Sequence, residues 1–338
     1  MNILAVESSC DETAVAIVRN GRQVLTDCIA SQVALHREYG GVVPEIASRK
    51  HIEAIYTLAD QALMEARLTR EAIDAVAVTY APGLIGAVLV GVNFAKAAAL
   101  AMNKPLIPVH HIRGHIAANY LAYPELKPPF LCLVVSGGHT LIVDVQDYTK
   151  MEILGTTLDD AAGECFDKVG RVLGMPYPGG AALDKAAQQG QANKYELPRS
   201  RPGANPYDMS FSGLKTATLN LIHHAQQVGE EIDIPSLCAE FTQAVSDTLV
   251  PRVTMALERT GYKKIAVAGG VAANSRIRAD ILAAAQSLGA QVYLPPLKLC
   301  GDNAAMIGAQ AYYEYLAGNV ADMRLNAYAT KSILGEIL

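Results

Sequence analysis

Aromatic and charged residues are scarce in this chain of 338 residues. Tryptophan is absent and phenylalanine occurs only 5 times, so a core has to be built mostly from aliphatic side chains. Charged residues make up 18% of the chain and hydrophobic residues 51%, which excludes a disordered protein and is enough to bury a sizeable core. The length predicts two domains or one large one.

None of the six cysteines belongs to a C-x-x-C pair, and a chain of this length does not need disulfides for stability. Reduced thiols in a cytoplasmic protein are therefore expected. The N-terminal segment has no basic n-region and its apolar run ends at Glu7, so we expect no signal peptide. The most apolar stretch, residues 85–102, contains Asn93 and Lys96, which predicts a buried helix and not a membrane span.

Several common motifs are also missing. A formal net charge of -5 disfavours a strongly basic nucleic-acid binder that acts alone, although a local basic face is compatible with it. Neither a Walker P-loop nor a G-x-G-x-x-G after a predicted strand is present, which argues against ordinary P-loop and dinucleotide-binding proteins. The G-x-S-x-G motif of the α/β-hydrolases is missing as well.

Strands and helices alternate along the chain, which predicts an α/β protein. Residues 3–18 and 131–145 each contain two apolar runs around a short polar turn, and this weak internal repeat suggests two related halves that each begin with a hairpin. Helices are predicted at 47–66, 85–101 and 304–316. The predicted buried face of the first helix consists of Ile52, Ile55, Leu58, Ala59, Ala62 and Leu63.

Small residues follow three of the predicted strands, at Ser8-Ser9, Ser136-Gly137-Gly138 and Gly269-Gly270. Glycine lets backbone N–H groups approach a phosphate closely, and the start of a helix favours an anion. Each loop taken alone is compatible with an ordinary turn. Three such loops spread over two halves predict a nucleotide in the cleft between the halves.

Two histidines, His111 and His115, are four residues apart and would share one face of a helix, where both can bind one metal ion. Surface or capping histidines are the alternative. Ile112 stands where an H-E-x-x-H metalloprotease carries its general base, so hydrolysis by that route lacks its key group. Asp302 could add an oxygen ligand or cap the following helix. Two histidines and one carboxylate suit iron or zinc.

Four carboxylates lie in predicted turns or beside glycines, where they could accept hydrogen bonds from ribose hydroxyls or amines. Ordinary turn, cap or surface roles are the alternative for each of them. They are Asp11, Glu12, Asp167 and Asp184.

Five motifs in series closely resemble those of the TsaD family, formerly called Gcp or YgjD and once labelled O-sialoglycoprotein endopeptidase. The resemblance extends from residue 1 to about residue 330, in order and without large gaps. The motifs are V-E-S-S-C-D-E-T at 6–13, H-x-x-x-H at 111–115, V-V-S-G-G-H-T at 134–140, G-G-V-A-A-N at 269–274 and G-D-N at 301–303.

The resemblance implies an actin-like ATPase fold of two lobes, the fold of sugar kinases, Hsp70 and actin, with nucleotide and metal in the cleft between the lobes. The N-terminal lobe would span residues 1–110, with the tail from about 325 to 338 packing back on it. The C-terminal lobe would span residues 111–324, with a helical and loop insertion at about 150–240.

The resemblance also implies an activity. A threonylcarbamoyl group would be transferred from threonylcarbamoyl-AMP to the N6 amine of the adenosine 3′ of the anticodon, in tRNAs that read codons beginning with A. AMP would be released. Because this donor is a mixed anhydride and already activated, the enzyme has to position the reactants and stabilise developing charge, and no protein nucleophile is required.

Site residues follow from the matched motifs. One metal ion, iron in this family with zinc as the other option, would be bound by His111, His115 and Asp302. The adenylate, or ATP, ADP or AMP in the same site, would be held by Val134, Val135, Ser136, Gly137, Gly138, Asp167, Gly180, Asp184 and Asn274, with Ser9 as a further candidate. Candidates for the proton acceptor, on position alone, are Asp11, Glu12 and His139.

Partners are implied as well. TsaB, a related actin-like protein, would form a heterodimer with this chain, and the ATPase TsaE would join them. TsaC would make the adenylate. The apolar helices at 47–66 and 85–101 are expected to face TsaB. The acidic balance predicts weak binding of tRNA by this chain alone, and no membrane is expected to take part.

Three alternatives remain open from the sequence. A metallopeptidase would fit the older family label, but Ile112 argues against it. A small-molecule kinase can share the fold, but it needs a base for its substrate hydroxyl and usually magnesium. A non-catalytic scaffold would bind nucleotide without turnover even with all partners present.

Overall fold

The computed structural model describes residues 1–201 and 203–334. Within these residues the chain forms two five-stranded sheets with helices around them, which confirms the predicted α/β class. The described residues form two compact units: the first comprises residues 1–128, 146–151 and 295–334, and the second comprises 129–145, 152–201 and 203–294. Residues 111–128, 146–151 and 295–324, which were expected in the C-terminal lobe, belong to the first unit.

The strands are short and mostly buried. In chain order they are β1 (Asn2–Glu7), β2 (Glu12–Arg19), β3 (Gln23–Ser31), β4 (Ala75–Ala81), β5 (Leu106–His110), β6 (Phe130–Val135), β7 (Thr140–Val145), β8 (Met151–Thr156), β9 (Lys264–Ala268) and β10 (Gln291–Tyr293).

The helices include three that the sequence predicts, at 44–66, 85–102 and 304–316. In chain order they are α1 (Val33–Arg37), α2 (Pro44–Ala66), α3 (Ile85–Met102), α4 (His111–Ala122), α5 (Ala162–Val172), α6 (Gly179–Ala187), α7 (Ser212–Val228), α8 (Ile234–Thr260), α9 (Ser275–Ser287) and α10 (Ala304–Leu316). Single turns of 3-10 helix occur at Arg70–Ala72, Gly270–Ala273 and Leu297–Leu299.

The sheet of the first unit has the order β3-β2-β1-β4-β5, with β1 antiparallel to β2 and parallel to β4. Successive side chains of β1 point to opposite faces. Leu4 and Val6 pack with α2 and α3, whereas Ile3 and Ala5 pack with α10. The sheet is therefore covered on both faces, which explains why β1, β2 and β4 are almost continuously apolar and buried.

The sheet of the second unit has the order β10-β9-β6-β7-β8. Its first two strands along the chain, β6 and β7, form an antiparallel hairpin in which Phe130 is opposite Val145, and β9 runs parallel to β6. The hairpin of β1 and β2 has the same arrangement, with a parallel strand beside its first strand. Both predicted hairpins are thus confirmed, and the internal repeat has a structural basis.

Helix α2 shows one error in the predicted buried face. Ile55 and Leu58 are buried as predicted, but Ile52 is exposed, and the neighbouring His51 occupies the buried position. The ring of His51 contacts Thr13 Oγ1 at 2.7 Å through Nδ1 and the Cys10 carbonyl at 3.0 Å through Nε2. His51 therefore faces the sheet in place of Ile52, because its ring has polar partners in and just after the turn between β1 and β2.

Helix α3 is long and apolar enough to cross a membrane by length and composition alone, and it is the one such helix among residues 1–201 and 203–334. One face of small residues packs on the sheet, including Ala87, Gly91 and Ala95, while Leu89 and Leu100 are exposed. The prediction of a core helix is therefore correct for one face only. All six cysteines lie in described residues and carry free thiols.

The described part of the C-terminal tail packs on the first unit. The Tyr328 N–H donates to the Tyr80 carbonyl at 2.9 Å, and the Gly83 N–H donates to the Ala329 carbonyl at 3.2 Å. Residues 335–338 of the predicted tail lie outside the described residues.

Candidate functional site

The two predicted metal-ligating histidines lie in the first turns of α4. The preceding residue, His110, ends β5 and caps the helix, because its Nδ1 accepts a hydrogen bond from the Ile112 N–H at 3.3 Å. His111 and His115 are one turn apart and face the same way. Their rings meet edge to face, with centroids 4.6 Å apart, and both side chains are buried. Ile112, at the position of a zincin base, is buried too.

Asp302 faces these histidines from the loop before α10. Its Oδ1 lies 3.2 Å from His115 Nε2 and 3.5 Å from His111 Nε2. Asn303, and not Asp302, caps α10, since Asn303 Oδ1 accepts from the Met306 N–H at 2.8 Å. One potential ligand atom from each of the three predicted residues lies within 4.8 Å of the others.

These three side chains fit a metal ion. Within the described residues, neither ring nitrogen of the buried His115 has a hydrogen-bond partner, although Nε2 faces the Asp302 carboxylate. A buried imidazole without such a partner is uncommon unless another ligand completes it. Two imidazole nitrogens and one carboxylate oxygen are a donor set for zinc or non-haem iron with open coordination positions.

Glu7 is a site residue that sequence reasoning missed. It ends β1, is fully buried, and its Oε2 lies 3.0 Å from His111 Nδ1. The same oxygen accepts from Thr79 Oγ1 at 2.6 Å, and Ser9 Oγ lies 3.2 Å from His111 Nδ1. The sequence did carry one signal for Glu7, which is a carboxylate at the end of an otherwise aliphatic strand. Such a partner fixes a histidine so that its other nitrogen can bind a metal.

Charge interactions dominate over burial at this pair. Burial lowers the pKa of His111, but the carboxylates of Asp302 and Glu7 outweigh it and raise that pKa to about 9. Burial raises the pKa of Glu7, but the charge of His111 and its hydrogen bond hold that pKa below its usual value. The two residues form an ion pair in the absence of a cation, so a metal at His111 has to displace a proton.

Asp11 and Glu12 lie in and just after the turn between β1 and β2. Glu12 Oε1 accepts a hydrogen bond from Ser31 Oγ at 2.8 Å. Burial and the neighbouring Asp11 carboxylate raise the pKa of Glu12 to about 9. The Glu12 side chain is therefore protonated at neutral pH.

In the second unit, a tight turn joins β6 to β7. The Ser136 N–H donates to the His139 carbonyl at 2.8 Å, and Ser136 Oγ accepts from the His139 N–H at 3.1 Å. This turn leaves Gly137 and Gly138 exposed, with no atom within 4 Å of an added Cβ. Gly163 packs against the turn so closely that its Cβ would lie 2.4 Å from the Ser136 carbonyl oxygen. The turn therefore has open space beside its two glycines.

Other predicted nucleotide residues order the helix starts of the second unit. Asp167 Oδ1 accepts from the N–H groups of Gly179 and Gly180, at 2.8 and 3.3 Å. Asp184 accepts from Ser275 Oγ at 2.8 Å. Asn274 caps α9, its Oδ1 accepting from the Ile277 N–H at 3.0 Å. The side chains of Val134 and Val135 are buried in β6, so only their backbone is available to a ligand.

Solved structures with the same arrangement of elements define the fold class of this protein. The HypF protein of T. kodakarensis matches with a TM-score of 0.62 and 15% identity, over 96% of this chain and 49% of that one. Component A of the (R)-2-hydroxyglutaryl-CoA dehydratase of Acidaminococcus fermentans matches with a TM-score of 0.52 and 13% identity, over 94% and 99%. The predicted actin-like ATPase fold is confirmed by these similarities.

The family follows from sequence. The model of TsaD, tRNA N6-adenosine threonylcarbamoyltransferase, matches residues 23–309. A protein of that name from Moorella thermoacetica is 54% identical over 96% of this chain and 95% of its own length. Another, from Clostridium botulinum (strain 657 / Type Ba4), is 52% identical over 97% and 96%. The chain belongs to the TsaD family of tRNA-modifying transferases, as the sequence motifs predict.

Proposed function

We propose that this chain transfers a threonylcarbamoyl group from threonylcarbamoyl-AMP to the N6 amine of the adenosine 3′ of the anticodon, in tRNAs that read codons beginning with A. AMP is the second product. The observation that carries the proposal is the identity of more than half of all residues, over nearly the whole chain, with relatives named tRNA N6-adenosine threonylcarbamoyltransferase.

The proposed metal site consists of His111, His115 and Asp302 and holds one ion, with iron preferred and zinc as the alternative. When bound, the ion supplies a Lewis acid for oxygen atoms of the donor. Glu7 accepts the Nδ1 proton of His111 and thereby directs the Nε2 lone pair towards the site. The buried surroundings of the two histidines keep bulk water from their rings.

The adenylate is proposed to bind the second unit. Gly137 and Gly138 are exposed with open space around them, and their backbone N–H groups are the proposed partners of the phosphate of AMP, which is the leaving group. Asp167 and Asp184 hold the starts of α6 and α9 in place, and their carboxylates are the proposed partners of the ribose hydroxyls. ATP and ADP contain the same adenylate group as threonylcarbamoyl-AMP, so we expect them to compete with it for the same residues.

Asp11 is the preferred candidate for accepting the proton from the adenosine amine. Burial and the neighbouring Asp11 carboxylate raise the pKa of Glu12 to about 9, so Glu12 is a poor proton acceptor at neutral pH. We therefore prefer Asp11 of these two carboxylates as the proton acceptor. His139, the third candidate, lies in the second unit, where its backbone closes the turn at Ser136.

TsaB, TsaE and tRNA are the proposed partners. The outer surfaces of α2 and α3 present exposed large apolar side chains, which soluble surfaces rarely cluster without a partner. We assign this face to TsaB. Its residues are Ile52, Tyr56, Met64, Ile85, Leu89 and Leu100. The free thiols fit a reducing compartment such as the cytoplasm.

The proposal is tested by nucleoside mass spectrometry. Unmodified tRNA is incubated with threonine, bicarbonate, ATP and a cell extract depleted of this protein. The extract is supplemented with the intact chain, with His111→Ala, or with the matched variant His223→Ala, whose side chain is exposed on α7. We expect threonylcarbamoyl-adenosine with the intact chain and with His223→Ala.

We expect little or no modified nucleoside with His111→Ala, because a ligand of the proposed metal is lost. If the depleted extract alone forms as much product as the supplemented one, the transferase proposal is wrong. In that case phosphoryl transfer to small molecules and nucleotide-dependent scaffolding are the next functions to test.

A further inference from the structure

Arg113 lies on α4 between the two proposed histidine ligands and is almost completely buried. Its Nη1 donates to Glu314 Oε1 at 2.9 Å. Glu314 is fully buried on α10, the helix that begins just after Asp302. This ion pair therefore joins the two helices next to which all three proposed ligands lie.

A buried guanidinium needs partners for its remaining donors, because an unsatisfied buried charge is costly. The backbone carbonyl of Ile333 supplies them: it accepts from Arg113 Nη2 at 2.8 Å and from Nε at 3.1 Å. The Lys331 carbonyl lies 3.0 Å from His110 Nε2. Because Nδ1 of His110 accepts a hydrogen bond from the Ile112 N–H, Nε2 carries the ring proton and donates a hydrogen bond to the Lys331 carbonyl.

The segment 325–334, here called the C-terminal strap, is held down along its length. Lys96 Nζ donates to the Leu325 carbonyl at 3.1 Å, and the Tyr328 N–H donates to the Tyr80 carbonyl at 2.9 Å. At its end the Ile333 side chain is buried, with 4% exposed, whereas that of Leu334 is 48% exposed. Ile333 is thus the anchor that keeps its own carbonyl against Arg113.

We propose that the C-terminal strap sets the geometry of the metal site through Arg113, which acts as a positioning residue. With the strap in place, Arg113 is satisfied and holds α4 against α10, so His111, His115 and Asp302 converge. Without it, two donors of a buried cation lose their acceptor and α4 has to shift or expose Arg113. This inference rests on the proposed metal site.

The test uses Co²⁺, whose visible absorption reports both binding and coordination geometry. The full chain, freed of metal with a chelator, is titrated with Co²⁺ alongside the Ile333→Ala and Leu334→Ala variants. Residues that orient metal ligands from behind typically contribute 10- to 100-fold to affinity. We therefore expect Ile333→Ala to weaken Co²⁺ binding by about 10-fold or more and to alter the spectrum. Leu334→Ala should match the unchanged chain.

Equal affinities and spectra for the two variants would overturn the role of the strap while leaving the metal site intact. Absence of Co²⁺ binding by the unchanged chain would overturn the metal site and this inference together. If Ile333→Ala does not fold, as judged by circular dichroism, Arg113→Lys decides. Lysine keeps the charge beside Glu314 but lacks the fork that also reaches Ile333, so weaker Co²⁺ binding supports the proposal and unchanged binding refutes it.

Discussion

Glu7 Oε2, at the end of β1, lies 3.0 Å from His111 Nδ1, at the start of α4. The carboxylate is fully buried and also accepts from Thr79 and from the Ser9 backbone. The central sheet of the first unit thus holds the imidazole in one orientation. This contact orients one of the two proposed metal-ligating histidines.

Replacing Glu7 by glutamine should weaken metal binding. Glutamine keeps the shape but loses the charge that favours an Nδ1–H tautomer of His111, so we expect a 10- to 100-fold higher dissociation constant for Co²⁺ or Zn²⁺. The measurement is a competitive titration against a chromophoric chelator. Glu45→Gln, on the exposed start of α2, is the matched control. An unchanged affinity in Glu7→Gln would refute the orienting role.

Protonation of His111 predicts opposite pH effects on stability and on metal binding. Its pKa is raised from the usual 6.5 to about 9 in the metal-free chain. The stabilising ion pair is therefore complete below pH 6.5 and is lost as the pH rises towards 9. We expect the urea midpoint of metal-free protein to fall between pH 6.5 and 9.

Metal affinity should rise over the same range, by up to about tenfold per pH unit, because one proton is displaced on binding. His111→Ala should have a flatter stability profile between pH 6.5 and 9 than the unchanged chain. A metal affinity that is independent of pH below 9 would contradict the ion pair.

The turn at Ser136 should be sensitive to a methyl group at Gly163. An added Cβ there would lie 2.4 Å from the Ser136 carbonyl oxygen, so the turn has to move. We expect Gly163→Ala to weaken AMP or ADP binding by about tenfold or more in calorimetric titrations, a loss of roughly 1.4 kcal/mol or more. Gly213→Ala, at a position open to solvent on α7, should bind normally. Equal affinities would show that the turn does not contact nucleotide.

The sequence predicts regular structure well where one local pattern decides it. Both hairpins and the helix at 304–316 were predicted, because apolar runs and cap residues lie next to each other in the chain. Ile52 was misplaced because helical periodicity defines a stripe but not its edges. What rotates α2 is the contact of His51 with Thr13, and these residues are distant in sequence.

The candidate site was only partly predictable for the same reason. The spacing of His111 and His115 is local and visible, whereas the approach of Glu7 and Asp302 depends on how β1 and α10 pack around α4. For Asp302 the sequence left two roles open, an oxygen ligand and a cap of the following helix. The position of Arg113 between α10 and the strap has no local signal in the sequence at all.

An added charge on the exposed apolar surface of α2 and α3 should disrupt the proposed assembly with TsaB. Leu89→Asp, on the exposed side of α3, should abolish the complex with TsaB in size-exclusion chromatography while leaving the thermal midpoint nearly unchanged. Ile55→Asp should instead unfold the protein, because Ile55 belongs to the core. Val228→Asp, exposed on α7, is the control and should assemble normally. A normal complex with Leu89→Asp would assign the partner to another surface.

Direct transfer is tested by measuring both products with purified components. Threonylcarbamoyl-AMP and unmodified tRNA are supplied to the chain together with TsaB and TsaE, and AMP and modified nucleoside are quantified over time. We predict one AMP for each threonylcarbamoyl-adenosine, with both lost in His115→Ala. Release of AMP without modified nucleoside, or product formation that His115→Ala leaves unchanged, would contradict a metal-dependent threonylcarbamoyl transferase.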